Sequence, residues 1–404
     1  VFTSTSIAPL TLKDLVFTGG NGAGGEGVSL DVAAPPIDPY ALVVQNVEFR
    51  HNGGHGLLAS IDGITTAATV TLADVVFANN GEGGGAIMVV GSTPTTASDV
   101  TVRNVRARDN GGAGLTFDDQ TAGASSYVVR ESQFAKNDDG LVVELAGLFA
   151  AAALSVREST FADNFQGGAT IRAANFSTVS VDVTDAVFSA NGVHGALVET
   201  ASDATTAGVV LERVTATDND VGVMVTHGGS GTLTVGVDDA VFTKNTAAGF
   251  AAHVEMGDGA VALAHVVARG NGANAGNNIL IDDTGDGSLM VTLRRVDARD
   301  AGADNIRIVE AEAGSVAASF DHVAAAASHT AHGIAIVESG AGGIAAAFKR
   351  TAVVHNALEG VLLAADADTP TTVPGGIDGL RGEGNGGHGL LLVQLSGVDY
   401  FAVP

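Results

Sequence analysis

The chain has no cysteine, no tryptophan, only 8 prolines, and only 19 lysines and arginines among 404 residues. Each shortage excludes something. Without cysteine there is no disulfide framework and no thiolate metal site. Without tryptophan, and with aromatics at 5%, a sugar groove walled by indole rings is ruled out. So few prolines leave no collagen-like or linker-like block. The 45 acids against 19 bases give a formal charge of −26. That excess opposes nucleic acid, whose phosphates need lysine and arginine, and anionic membrane surfaces. No apolar run reaches the roughly 18 residues of a transmembrane helix. A cysteine-free chain of this length fits a bacterial exported protein, extracellular or on the cell surface. No leader segment precedes Val1, and we read the chain as a mature or excised portion of a longer product.

What is abundant is glycine, at 55 residues, with alanine and valine. Small and β-branched residues suit narrow, stacked strands. One phrase recurs: an apolar residue, two others, an asparagine, a few small residues, a glycine, then a short apolar strand. Its asparagines are Asn52, Asn80, Asn110, Asn137, Asn164, Asn191, Asn219, Asn245, Asn271, Asn356 and Asn385. Two copies, near Ala301 and Ser328, keep the phrase and lack the asparagine. The period is about 27–28 residues, as in solenoid proteins.

Three residues before the asparagine stands Phe49, Phe77, Phe134, Phe161, Phe188 or Phe242, with Ala107, Ala216 and Ala268 between them. Further apolar columns lie five, eight and ten residues before it. Alternation in steps of two is the strand signature. Each period therefore holds about three short strands separated by corners. Winding them into coils puts like residues over like, about 4.8 Å apart. The phenylalanines become an interior stack. The asparagines become an amide ladder at a left-handed corner, which asparagine tolerates. The glycines after them, such as Gly56, Gly84 and Gly114, are read as serving the same corner. The expectation is an all-β, right-handed parallel β-helix of about 14 coils, one domain over 1–404. Residues 1–12 are expected to be irregular. The apolar segment 390–404 is a possible assembly interface. The insertions 33–40, 91–99, 145–152 and 366–376 fall at one corner, and the apolar stretch 145–154 reads as an exposed loop.

Six copies spell F-x-x-N, and one continues as Gly84-Gly85-Ala86-Ile87. This resembles the F-x-x-N and G-G-A-[ILV] repeats of polymorphic outer-membrane proteins. More broadly, it resembles the pectin-lyase-like right-handed β-helices. The resemblance covers about residues 42–400. It implies a surface passenger implicated in adhesion. The translocator barrel of those proteins is missing from this sequence.

Chemistry on such a fold needs acids and bases on neighbouring coils. Arg103, Arg130 and Arg157 each lie seven residues before an asparagine and should stack, which makes them a weak candidate for binding an anion or a sugar acid. Asp282, Asp283 and Asp286, in a Gly-punctuated loop, could give Ca²⁺ some of its six to eight oxygens. They are the only suggestion of a cofactor. His55, His194, His332 and His388 precede corner glycines on coils too far apart for a tight site, and are read as solvated. No G-x-S-x-G, H-E-x-x-H or P-loop motif is present. The expected function is a non-catalytic surface or matrix protein, adhesive or self-assembling into filaments. Its partners would be itself, flanking modules, or a glycan or host-surface ligand. The alternative is a lyase or epimerase of acidic polysaccharide.

Overall fold

The computed structural model describes all but residues 1, 5–8, 21–23, 34–38, 92, 94, 148–150, 175–177, 202–205, 274, 367–370, 373–376, 395–400 and 404. Among the described residues every regular element is a strand. The fold is a right-handed parallel β-helix of about 13 turns. The chain divides into two compact units, Val1–Thr205 and Thr206–Pro404.

In the first unit a representative coil runs through Leu115–Gln120, Ser125–Arg130 and Gln133–Ala135. We call these the first, second and third strands of a coil. Each pairs in parallel register with its counterpart on the next coil, as Leu115 with Leu141, Tyr127 with Leu154 and Phe134 with Phe161. Inward positions alternate with outward ones: Ser125, Tyr127 and Val129 are buried, whereas Arg130 is exposed. In the second unit the same three strands recur as Val221–His227, Thr232–Asp238 and Val241–Thr243, and on later coils.

The phenylalanine column forms with parallel rings. In the first unit Phe17, Phe49 and Phe77 stack at 5.3 and 5.1 Å, and Phe134, Phe161 and Phe188 at 5.1 and 5.0 Å. Ala107 interrupts the two runs in register. Phe117 and Tyr127 then fill the interior edge to face at 5.7 Å. In the second unit Phe242 has Ala216 and Ala268 as column neighbours and meets Phe250 instead. A separate pair, Phe320 and Phe348, stacks at 4.9 Å in a second-strand column. Each buried ring contributes about 1.5–3 kcal/mol before its lost entropy is counted.

The asparagine ladder also forms, but its backbone reason differs from the expectation. The left-handed residue is the one before each asparagine: His51, Asn79, Asp109, Lys136, Asp163 and Ala190 in the first unit. The ladder asparagine itself is buried. Its Nδ2 donates to the next Oδ1, at 2.9 Å from Asn52 to Asn80 and 2.8 Å from Asn80 to Asn110. The same Oδ1 accepts the backbone N–H of the asparagine on the coil before. A second left-handed column lies six residues before the ladder, as Asp74, Asn104, Glu131, Glu158 and Asp185.

The glycines are also there for a different reason. Gly56 and Gly84 do not have positive φ. A Cβ on Gly56 would sit 2.6 Å from the Gly84 carbonyl oxygen and 2.7 Å from the Phe49 Cβ. Glycine is required there by close approach of neighbouring coils.

In the second unit Asn278 and Asn305 occupy the glycine column and reach into the ladder. Asn271 donates to Asn278 at 2.8 Å, Asn278 to Asn305 at 2.8 Å, and Asn305 to Asn356 at 3.1 Å. Ala301 and Ser328, which lack the amide, leave the space that these side chains fill.

Two further expectations are corrected. Within residues 1–12, expected to be irregular, two stretches are strands: Phe2–Ser4 pairs with Val28–Leu30, and Leu10–Thr18 begins at residue 10; residues 1 and 5–8 lie outside the described set. The apolar stretch 145–154 is not a free loop, since Ala151–Arg157 is a second strand whose Ala152 and Leu154 point inward. Its apolar character is that of a core strand. Residues 148–150 lie outside the described set. At the other end Leu390–Gln394 pairs in parallel with Val361–Ala365, and Phe401–Val403 runs antiparallel along Leu390–Leu392.

Candidate functional site

The arginine column stands as spaced. Arg103, Arg130 and Arg157 end consecutive second strands and pair in register. Strand alternation sends all three outward, and all are exposed. Arg157 is engaged: its Nη2 lies 3.0 Å from Asp182 and its Nε 2.9 Å from Ser155. Arg103 and Arg130 have no ion-pair partner among the described residues. Arg106, on the third strand of the Arg103 coil, is likewise exposed, and Arg108 bonds Asp109 at 3.2 Å. Three guanidinium groups at the strand spacing of about 4.8 Å form a periodic row of planar donors.

The acidic loop does not converge. Asp282 and Asp283 are adjacent on one strand, so they point to opposite faces. Asp282 is on the outside with His253 Nδ1 at 2.5 Å. Asp283 is buried in the interior, and Asp286 is exposed. The three carboxylates therefore share no common centre for a Ca²⁺ ion. The described residues do bring Asp238, Asp239 and His265 together on the surface. His265 Nδ1 already sits 2.8 Å from Asp238, and Arg295 lies 3.1 Å from Nε2.

Of the corner histidines, His194 and His332 are not solvated as expected, whereas His388 is exposed. In the first unit His194 leans across Gly167, where a Cβ would lie 2.4 Å from its Nε2 and 2.9 Å from Asp139. Its Nε2 is 2.9 Å from Thr170 Oγ1. Burial, then nearby Arg172, lowers its pKa to about 4, so it is neutral at pH 7. On the same outer face Arg172 joins Glu144 at 2.9 Å and Glu199 at 3.0 Å, beside a shallow pocket of about 210 Å³.

In the second unit the corner column holds a connected chain. Arg307 bonds the buried Asp304 at 3.0 Å, and Asp304 meets His332 Nδ1 at 2.8 Å. His332 Nε2 then faces Glu359 at 3.1 Å, and His388 lies 3.8 Å from Glu359. The coil between His332 and His388 contributes Glu359, and the coil before His332 contributes Asp304. Spacing among the histidines alone hid this chain. Reading the same column for every residue type would have found it. Both imidazole nitrogens face carboxylates, so this is a corner clamp, with no nitrogen free to act on a substrate.

Burial would raise the Asp304 carboxyl. The donors from His332, side chain and backbone, and from Arg307 outweigh burial and hold it below the usual carboxylate value. A depressed folded value gives stability that is present above the unfolded value near 4 and is lost as pH falls through the folded one. Asp304→Asn should therefore cost on the order of 2 kcal/mol at pH 7. The difference from the native chain should shrink below about pH 4. Urea unfolding across pH 3–7 reads this, and a pH-independent difference would contradict the clamp.

Four acids share a buried position; Asp283 was expected as a loop ligand for Ca²⁺, and the other three were not singled out. Asp119, Asp283, Glu310 and Glu338 occupy one inward position at the end of first strands. Asp119 Oδ2 accepts from Tyr127 Oη at 2.7 Å and from Ser98 Oγ. Its Oδ1 accepts the Thr121 N–H at 2.9 Å. The available signal was an acid at an otherwise apolar column position, repeating from Asp283 to Glu310 to Glu338 at the coil period.

A family model described as a right handed beta helix region matches residues 3–181. No curated protein matches the chain, and no solved structure does.

Proposed function

We propose that this β-helix is a non-catalytic structural or adhesive protein of the cell exterior, and that its contact face is the arginine row of the first unit. The observation that carries this reading is the row itself: Arg103 and Arg130 stand in register, exposed, with no ion-pair partner among the described residues. In a chain of charge −26, local acids neutralise most cations, and an uncompensated pair is a place for an external anion. Planar guanidinium forks suit carboxylates. The ligand this favours is an acidic glycan or a host-surface equivalent, with a carboxylate meeting each arginine. The interior ladders support a rigid scaffold role, because large buried side chains stack in register from coil to coil. Self-association into filaments, or joining to flanking modules, belongs to the same reading, since parallel strands accept further strands by the same backbone bonds.

The test is binding to a panel of polyuronates, read by affinity electrophoresis at low salt. The double variant Arg103→Ala/Arg130→Ala should bind about tenfold more weakly, from roughly 0.5–1 kcal/mol per exposed charge. Unchanged affinity would remove the face from consideration. The same mixtures are followed in the ultraviolet for unsaturated products. Their appearance would replace this reading with the lyase alternative.

A further inference from the structure

Asp283, Glu310 and Glu338 lie one above another in the second unit, in register on three consecutive coils. All three are 0% exposed. One oxygen of each braces the turn that follows. The Gly285 N–H donates to Asp283 Oδ1 at 2.9 Å. Glu312 and Gly314 donate to Glu310 Oε1 at 2.9 and 3.2 Å, and Gly340 and Gly342 to Glu338 Oε1 at 2.8 and 3.2 Å. The other oxygens of Asp283 and Glu310 have no hydrogen-bond donor.

These two orphaned oxygens belong to neighbouring coils, about 4.8 Å apart at the backbone. The second strands that follow these turns begin, in register, with the buried apolar residues Leu289, Val316 and Ile344. The charged groups around Asp283 are Asp258, Asp282 and His253, and those around Glu310 are Glu338 and Asp283 itself. Two ionised carboxylates here would be buried anions with half their acceptor capacity unmet, which costs several kcal/mol each. A hard cation would need six or more oxygens. The inner oxygens are already committed to N–H donors, and the strands that follow begin with apolar residues. A proton needs only two oxygens.

We propose that Asp283 Oδ2 and Glu310 Oε2 hold one proton between them, and that this proton is a pH-sensitive fastening of the stacked turns 284–288 and 311–315. Burial, the largest cause in both, pushes Asp283 up to about 6 and Glu310 up to about 7; the backbone donors pull the other way and the neighbouring acids add to the rise. Groups raised in the fold give stability that is complete below their unfolded values near 4. That stability is lost as pH rises through 6 and 7. Above that range the proton leaves to solvent, and two buried anions on adjacent coils repel each other.

Infrared difference spectroscopy on the whole chain tests this. At pH 6, where surface carboxylates are ionised, a protonated-carboxyl carbonyl band should remain, and it should disappear on titration to pH 9. Glu310→Gln keeps the Oε1 acceptor and should lose the band. The native urea midpoint should fall between pH 5.5 and 8.5, and the variant midpoint should stay nearly flat. A native spectrum without the band overturns the proposal even if the variant does not fold. A variant that retains both the band and the slope overturns it as well.

Discussion

Asn137→Ala should be among the most damaging single substitutions in the first unit, at on the order of 3–5 kcal/mol. The side chain is buried and meets four groups. Its Nδ2 donates to the Ala107 carbonyl at 3.1 Å and to Asn164 Oδ1 at 3.2 Å. Its Oδ1 accepts from the Asn110 N–H at 3.2 Å and from Asn110 Nδ2 at 2.8 Å. Alanine leaves the Asn110 N–H and one Nδ2 hydrogen of Asn110 unpaired in the interior, and takes one donor each from the Ala107 carbonyl and Asn164 Oδ1. Each buried orphan costs about 1–3 kcal/mol, offset in part where a partner keeps a second bond. Asn137→Asp preserves the shape and the acceptor and loses the donor, so it should separate geometry from hydrogen bonding. It should also be costly at pH 7, with a carboxylate facing the Asn164 oxygen, and should recover in part under acid. Urea unfolding by circular dichroism measures both variants. A loss below about 1 kcal/mol for Asn137→Ala would mean that water replaces the amide and that the ladder is not a continuous buried chain.

The period, the alternation and the asparagine and phenylalanine columns made the coil legible, because identical residues at a fixed spacing can only stack one way. The reason for each corner was less legible. The sequence places asparagine and glycine side by side, and both residue types tolerate positive φ. The left-handed load is instead on the residue before the asparagine, a position held by His51, Lys136 and Ala190 as readily as by Asn79. Asparagine is needed for its amide and glycine for lack of a Cβ, as at Gly56. The exchange at Asn278 and Asn305 was invisible for the same reason: an asparagine in the wrong column looks like noise until both columns are seen to share one space. For the candidate site, the arginine row was readable because one residue type repeats. The chain from Arg307 to His388 was not, since it depends on complementary types alternating down a column. Asp283 was read as a loop ligand and the other buried acids were overlooked, because strand parity decides whether Asp282 or Asp283 faces inward, and a one-residue shift reverses the answer.

Phe161→Ala should cost about 3–5 kcal/mol, the range for removing a fully buried aromatic side chain. Phe161 is buried, with Phe134 on one side and Phe188 on the other, ring planes within 5° and 12° of parallel. The register holds the two neighbours apart at fixed strand spacing, so they cannot collapse into the gap. The cavity therefore persists, and the cavity term adds to the transfer term. The native column offers an internal comparison. Ala107 occupies the same position, and there the Phe117 and Tyr127 rings enter the core nearby. Supplying volume from another strand should therefore rescue the defect, and Phe161→Leu, which keeps part of it, should lose less than half as much as alanine. Loss of Phe161, the middle ring of its stack, should also exceed loss of Phe242, whose column neighbours are alanines and which meets one ring at 5.9 Å. Urea midpoints of the three variants rank these costs. Equal losses at Phe161 and Phe242 would show that ring area alone, and not stacking within the coil register, sets the stability of the column.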